Sequence, residues 1–239
     1  MIAVLPAAGR GKRMQAITGG APKELLEVCG KPTLAWALEE AFAAGADSAV
    51  VVNSPDKPLV SDLALGYGPR VSVAIQPEAI GLANAVACAA VLGPALLVSP
   101  DTVYWPFSPC SLLISALERC DAAIAAETVS DAEVSLYGIL DVRGLSVRRV
   151  LEKPRAEETA SRLAIAGRFA FSARFMSLLA ERFLVGSAVE GAELDLTSAL
   201  NAAISCGLEV RAVGLEAGMK RYDCGSAEGL ALARAEIRA

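Results

Sequence analysis

The sequence predicts an α/β fold in which a mostly parallel, mixed sheet is sandwiched between helices. Short apolar runs recur at 2–5, 49–52, 71–75, 95–98 and 122–126, each the length of a buried strand. Segments between them carry helical spacing, as where Leu34, Leu38, Ala41 and Phe42 follow Pro32 and stop at Gly45. With 54% hydrophobic residues over 239 positions, there is ample material for a core. Alternation of this kind implies crossover connections, and ligands of such sheets sit beyond the carboxyl ends of the strands.

Taken in order, the first strand breaks at 5–14 into LPAAGRGKRM. The stretch 80–98 has no charge and could span a bilayer by length, but Gly93 and Pro94 divide it. Its Ala-rich part, 83–92, predicts a helix, and 95–98 predicts a buried strand ending at Ser99, Pro100 and Asp101. Longer strands follow at 137–142, 145–151 and 163–171, the first two joined by a turn at Arg143 and Gly144. Helices return at 172–183, 194–206 and 227–238, with a strand at 209–213. No long linker or repeat interrupts the chain. The expectation is a single domain over 1–239, with a nucleotide-binding half at 1–130 and a substrate half at 131–239.

Composition narrows the chemistry. A net charge of −5 argues against a nucleic-acid or anionic-membrane surface, so the cations of the first loop form a local site. No cationic segment precedes the first apolar run, and the six cysteines show no C-x-x-C pair, which predicts reduced thiols in a cytoplasmic protein. There is no histidine, which removes Ser-His-Asp and Cys-His hydrolases and His-ligated zinc.

The loop itself suits a polyphosphate. Gly9 and Gly11 let backbone N–H groups approach phosphate oxygens, while Arg10, Lys12 and Arg13 supply charge. It is not a P-loop, lacking Gly-Lys-Ser/Thr at the required spacing. Met14 stands where a dinucleotide fingerprint needs a third small residue.

Beyond the loop come APKELLEVCGKP at 21–32, QPEAIGLANAV at 76–86, VSPD at 98–101 and YGIL at 137–140. LEKP at 151–154, RLAIAGRFAFS at 162–172, ELDLTSAL at 193–200 and YDCG at 222–225 complete the series. In this collinear order the chain resembles the sugar-1-phosphate nucleotidylyltransferases, and within them the bacterial UTP:glucose-1-phosphate uridylyltransferases. The resemblance implies a Rossmann-like nucleotidyltransferase architecture, of the glycosyltransferase-A-like kind. It also implies a reaction: a nucleoside triphosphate, UTP or dTTP, and a sugar 1-phosphate, glucose 1-phosphate foremost, give an NDP-sugar and pyrophosphate. The nucleophile is an ionised phosphate oxygen that needs no general base, in keeping with a chain that has no histidine.

The resemblance further implies residue roles. Ala8, Gly9 and Gly11 would contact the nucleotide through backbone groups, Arg13 would stabilise the leaving pyrophosphate, and Lys23 would reach the phosphates. Gln76 would hydrogen-bond the pyrimidine edge, with Gly81 making room for the base. Asp101 and Asp223 would hold Mg²⁺, which favours a few carboxylates with phosphate and water. Gly138, Glu152 and Gly167 would form the sugar pocket, and Lys153 would meet the sugar phosphate.

Some features depart from the family pattern. Lys12 stands where a small hydroxyl residue is common and has no assigned role, and the segment between Asn53 and Gln76 is short. Missing peripheral helices leave oligomeric state and allosteric control open, and the preferred base and sugar are likewise open. Two other readings stay beside this one: a cytidylyltransferase of the methylerythritol-phosphate type, which shares the loop, and a nucleotide-sensing homologue without catalysis.

Overall fold

Strand β1 (Ile2–Pro6) is central to the computed structural model, which describes residues 1–11, 14, 19–183 and 195–238. Its side chains alternate between two apolar cores. Ala3 and Leu5 join Leu34 and Leu38 on one face, and Val4 joins Val86, Leu97 and Phe171 on the other. That alternation is why helices cover both faces of the sheet.

A small antiparallel pair, β2 (Glu27–Val28) and β3 (Lys31–Pro32), leads into α1 (Thr33–Ala43). Pro32 opens this helix, and Gly45 turns the chain beyond its end at φ +98°. Then come β4 (Ser48–Asn53), α2 (Pro58–Leu65), β5 (Val71–Ile75), α3 (Leu82–Cys88) and β6 (Ala95–Val98). The pair β7 (Thr102–Trp105) and α4 (Cys110–Ala116) precedes β8 (Ala122–Thr128). The second half holds β9 (Gly138–Arg143), β10 (Ser146–Glu152), β11 (Leu163–Phe171), α5 (Ala173–Phe183) and α6 (Leu196–Ser205). It ends with β12 (Val210–Gly214), β13 (Lys220–Asp223) and α7 (Ala227–Glu236).

The main sheet among the described residues has nine strands in the order β5-β4-β1-β6-β11-β8-β12-β10-β9. Pairs β5–β4, β4–β1, β1–β6 and β8–β12 are parallel, as the crossover pattern predicts. The antiparallel insertion of β11 between β6 and β8 makes the sheet mixed. At Gly167, with φ +76°, the register of β11 shifts, and its first residues bridge to β9 through Ala164 and Ile139. One strand thereby belongs to the middle of the main sheet and to the wall of a second compartment.

Two short strands escape the sequence pattern. β7 and β13 pair only with each other, in the register Thr102↔Asp223. Each has four residues, and β7 lies between Pro100 and Pro106, so neither displays a readable alternation. This register carries Asp101 and Asp223 to the same place. Helix α3 is shorter than the 83–92 expectation, because Ala90 turns to φ +53° and the ladder cannot continue. The uncharged run 80–98 does form helix, turn and strand, and among the described residues no helix is long and apolar enough to cross a membrane.

Candidate active site

The loop after β1 is held from below. Lys57 Nζ donates to the carbonyls of Ala7 at 2.8 Å and Gly9 at 2.6 Å, and reaches Glu24 Oε2 at 3.0 Å. With those carbonyls bound to Lys57, the opposite side of the loop is left to ligands. Gly11 adopts φ +57°, and a Cβ there would stand 3.5 Å from Lys23 Cδ, so glycine permits the loop to lie along that lysine. Arg13 and Lys12 lie outside the described residues.

Lys23 leaves the short 3-10 turn Lys23–Leu25 and forms an ion pair with Asp101 across the cleft. Burial opposes the charge on both groups, yet their mutual attraction prevails. The Lys23 ammonium is held above its usual range and the Asp101 carboxyl below its own, with Arg168 adding to the latter. Asp223 is brought in from the other side by β13. A Cβ on Gly225 would lie 3.0 Å from Asp223 Oδ1 and 3.3 Å from Asp101 Oδ2, so the two carboxylates converge over one glycine. The Gly225 N–H donates to Asp223 Oδ1 at 3.0 Å and orients it.

Two cavities meet at Asp101. The first, of about 510 Å³, is lined by Ala8, Gly9, Gly11, Lys23, Gln76 and Gly81. Gln76 is 3% exposed, and its Nε2 donates to the Gly81 carbonyl at 3.0 Å and to Asn84 Oδ1 at 2.9 Å. With its nitrogen committed, the amide presents its carbonyl oxygen as acceptor. Gly81 takes φ +135°, a conformation that a side chain would strain.

The second cavity, of about 850 Å³, is lined by Gly138, Glu152, Gly167, Thr197, Arg221 and Asp223 among others. Gly138 is opposite Glu152 in the β9–β10 ladder, and a Cβ on it would come within 2.9 Å of Ile165 Cδ1. Thr197 donates to Glu152 Oε2 at 2.7 Å and fixes that carboxylate. Lys153 has φ +44°, and its half-exposed ammonium lies 3.4 Å from Glu152 Oε1, at the rim rather than in the wall.

Several participants carried no signal in the sequence. Thr197 and Gly225 lie inside quoted motifs, where they read as an ordinary helix threonine and a turn glycine. Arg221 forms an ion pair with Glu127 and stacks 4.8 Å over the Tyr137 ring, a contact made between three distant segments. Lys57, Glu40 and Arg168 act through pairs far apart in the chain, which no local pattern discloses.

The arrangement is a cleft with a cation, two converging carboxylates and a cavity on each side, suited to joining two phosphate-bearing molecules. The family model described as nucleotidyl transferase matches residues 2–238. The UTP--glucose-1-phosphate uridylyltransferase of Escherichia coli strain K12 is 30% identical over 270 residues, covering 95% of this chain and 86% of that protein. A crystal structure of UDP-glucose pyrophosphorylase complexed with UDP-glucose superposes with a TM-score of 0.82 at 27% identity, covering 98% of this chain and 97% of that one. A UTP-bound UGPase from Acinetobacter baumannii gives a TM-score of 0.81 at 27% identity, over 98% and 92% of the two chains. The collinear motifs, the mixed sheet and the two-cavity cleft thus have one common source: the chain belongs to the nucleotidyl transferase family.

Proposed function

We propose that this protein is a sugar-1-phosphate nucleotidylyltransferase that joins UTP and glucose 1-phosphate into UDP-glucose, releasing pyrophosphate. The observation that carries the reading is the meeting of Lys23, Asp101 and Asp223 at the junction between two cavities, where an α-phosphate and a sugar phosphate would face each other. UTP in the first cavity and the sugar phosphate in the second gives the halves 1–130 and 131–239 their separate tasks.

In the reaction, a phosphate oxygen of the sugar phosphate forms a bond to the α-phosphorus as the bond to the β-phosphate oxygen breaks. Pyrophosphate carries away the electron pair. Lys23 exchanges Asp101 for the triphosphate and neutralises its charge, and Arg13 meets the departing pyrophosphate. The Gln76 carbonyl accepts the imide N–H of the uracil, an edge that thymine shares, so this contact alone does not separate UTP from dTTP. Glu152, fixed by Thr197, accepts hydrogen bonds from the sugar hydroxyls, and Gly138 and Gly167 allow the ring to approach. Lys153 reaches the sugar phosphate from the rim.

The family chemistry uses a divalent cation, and the donor set here fits Mg²⁺. Asp101 and Asp223 converge, and among the described residues no cluster of three or more acidic, Cys or His ligands exists that would suit a fully protein-caged ion. These two aspartates would hold it, and when bound it supplies charge neutralisation at the phosphates. Six unpaired cysteines support a reducing, cytoplasmic setting.

Pyrophosphate release over a panel of UTP, dTTP and CTP against several sugar 1-phosphates tests the proposal. The expected result is release only when triphosphate, sugar phosphate and Mg²⁺ are all present, fastest with UTP and glucose 1-phosphate. Nucleotide binding without release in every combination would overturn it in favour of a sensor.

A further inference from the structure

Behind Asp101 lies an ion pair, Arg168 with Glu40, that lines neither of the two cavities. Arg168 is fully buried, and each of its five N–H groups has a partner. Nε donates to Glu40 Oε1 at 2.7 Å and Nη2 to Glu40 Oε2 at 2.6 Å, a two-bond fork. The remaining donors go to three carbonyls: Ser99 at 3.0 Å, Gly167 at 3.0 Å and Thr102 at 2.7 Å. Ser99 and Thr102 flank Asp101, and Gly167 is the bulge of β11 in the wall of the second cavity. Glu40, on α1, also accepts from Ser108 Oγ and from Cys110 Sγ, so its own orientation is fixed.

A guanidinium with every donor used has a single orientation, and the backbone on either side of Asp101 is held to that frame. A carboxylate that must meet a cation within a few tenths of an ångström needs such support. We infer that Arg168, locked by Glu40, is a positioning residue that fixes Asp101 for the cation and ties it to the Gly167 wall of the second cavity. The inference rests on the assignment of Asp101 to the cation in the proposed reaction. A lysine at 168 would keep the charge but cannot supply five fixed donors.

The test uses the full chain in three variants, Arg168→Lys, Glu40→Gln and Asp101→Asn. Two measurements are made on each: binding of Mn²⁺ alone, followed by the electron paramagnetic resonance of the free ion, and kcat and KM from pyrophosphate release. Arg168→Lys is expected to weaken Mn²⁺ binding and lower kcat by about 10- to 100-fold, with KM for UTP within about twofold. Glu40→Gln, which keeps the shape of the partner, shifts both in the same direction by less, and decides the matter if Arg168→Lys does not fold. A lowered thermal midpoint with Mn²⁺ affinity and kcat at wild-type values in the folded variants would reduce the pair to scaffolding and overturn the inference. If Asp101→Asn itself leaves Mn²⁺ binding unchanged, the cation assignment fails, and the inference fails with it.

Discussion

Two glutamates are buried beneath this cleft, each facing a cation, and their environments push them in opposite directions. Glu40 meets the Arg168 fork through both oxygens, with Ser108 and Cys110 also donating. Burial works against its charge, but Arg168 prevails and holds its carboxyl below the usual range. Glu24 is fully buried and meets a single Lys57 ammonium through Oε2, while its Oε1 has no partner. There burial prevails over Lys57 and Lys23, and the carboxyl is pushed up. The physical difference is between a planar fork that satisfies both oxygens and a point charge shared with two loop carbonyls. The saturated pair holds the backbone on either side of Asp101 through the Ser99 and Thr102 carbonyls. The under-satisfied pair holds the glycine loop through the Ala7 and Gly9 carbonyls.

Removing one partner from the saturated pair has the largest expected effect on stability. Glu40→Ala leaves a fully buried guanidinium without its counter-ion and should cost about 3–5 kcal/mol in urea unfolding. A loss below about 1 kcal/mol would remove the distinction between the two pairs. Lys57→Met is milder, because Glu24 can take up a proton, but the carbonyls of Ala7 and Gly9 lose their donor. It should cost about 1–3 kcal/mol and raise KM for UTP more than KM for the sugar phosphate. Equal rises in both would detach Lys57 from the triphosphate side. Glu24→Gln should change stability by less than about 1 kcal/mol, since a neutral amide suits a site that already disfavours the carboxylate.

The same contrast explains what could be read in the chain. Strands such as β1 and β6 announce themselves because burial on both faces demands unbroken apolar runs, and loop glycines mark the places where backbone must turn or approach a ligand. Motif order singled out Lys23, Asp101, Gln76, Glu152 and Asp223, and the fold brings these residues to the walls of the two cavities. The supporting pairs were not legible. Glu40 and Arg168 are 128 positions apart, and a glutamate on an amphipathic helix reads as a solvated residue until the fold encloses it. The β7–β13 pairing was hidden for a related reason: it is four residues long, and only its register reveals that Asp101 and Asp223 converge.

The smallest expected effect is the dependence of stability on pH, and here the two glutamates differ in sign. Glu40 has a folded pKa below its ordinary 4.5, so between those values the unfolded chain binds more protons. Its contribution is fully present above about pH 4.5 and is lost as pH falls through the folded value. Glu24 has a folded pKa above 4.5, so there the folded chain binds more protons. Its contribution is present below that pH and is lost as pH rises through the folded value. Glu40→Gln should therefore flatten the fall in stability on the acid side, whereas Glu24→Gln should gain on wild type as pH rises from about 4.5 toward neutrality. Urea unfolding of both variants from acid to neutral pH reads the two slopes directly. If both variants shifted the profile in the same direction, the opposition between a satisfied and an under-satisfied buried carboxylate would be lost, and burial alone would account for both sites.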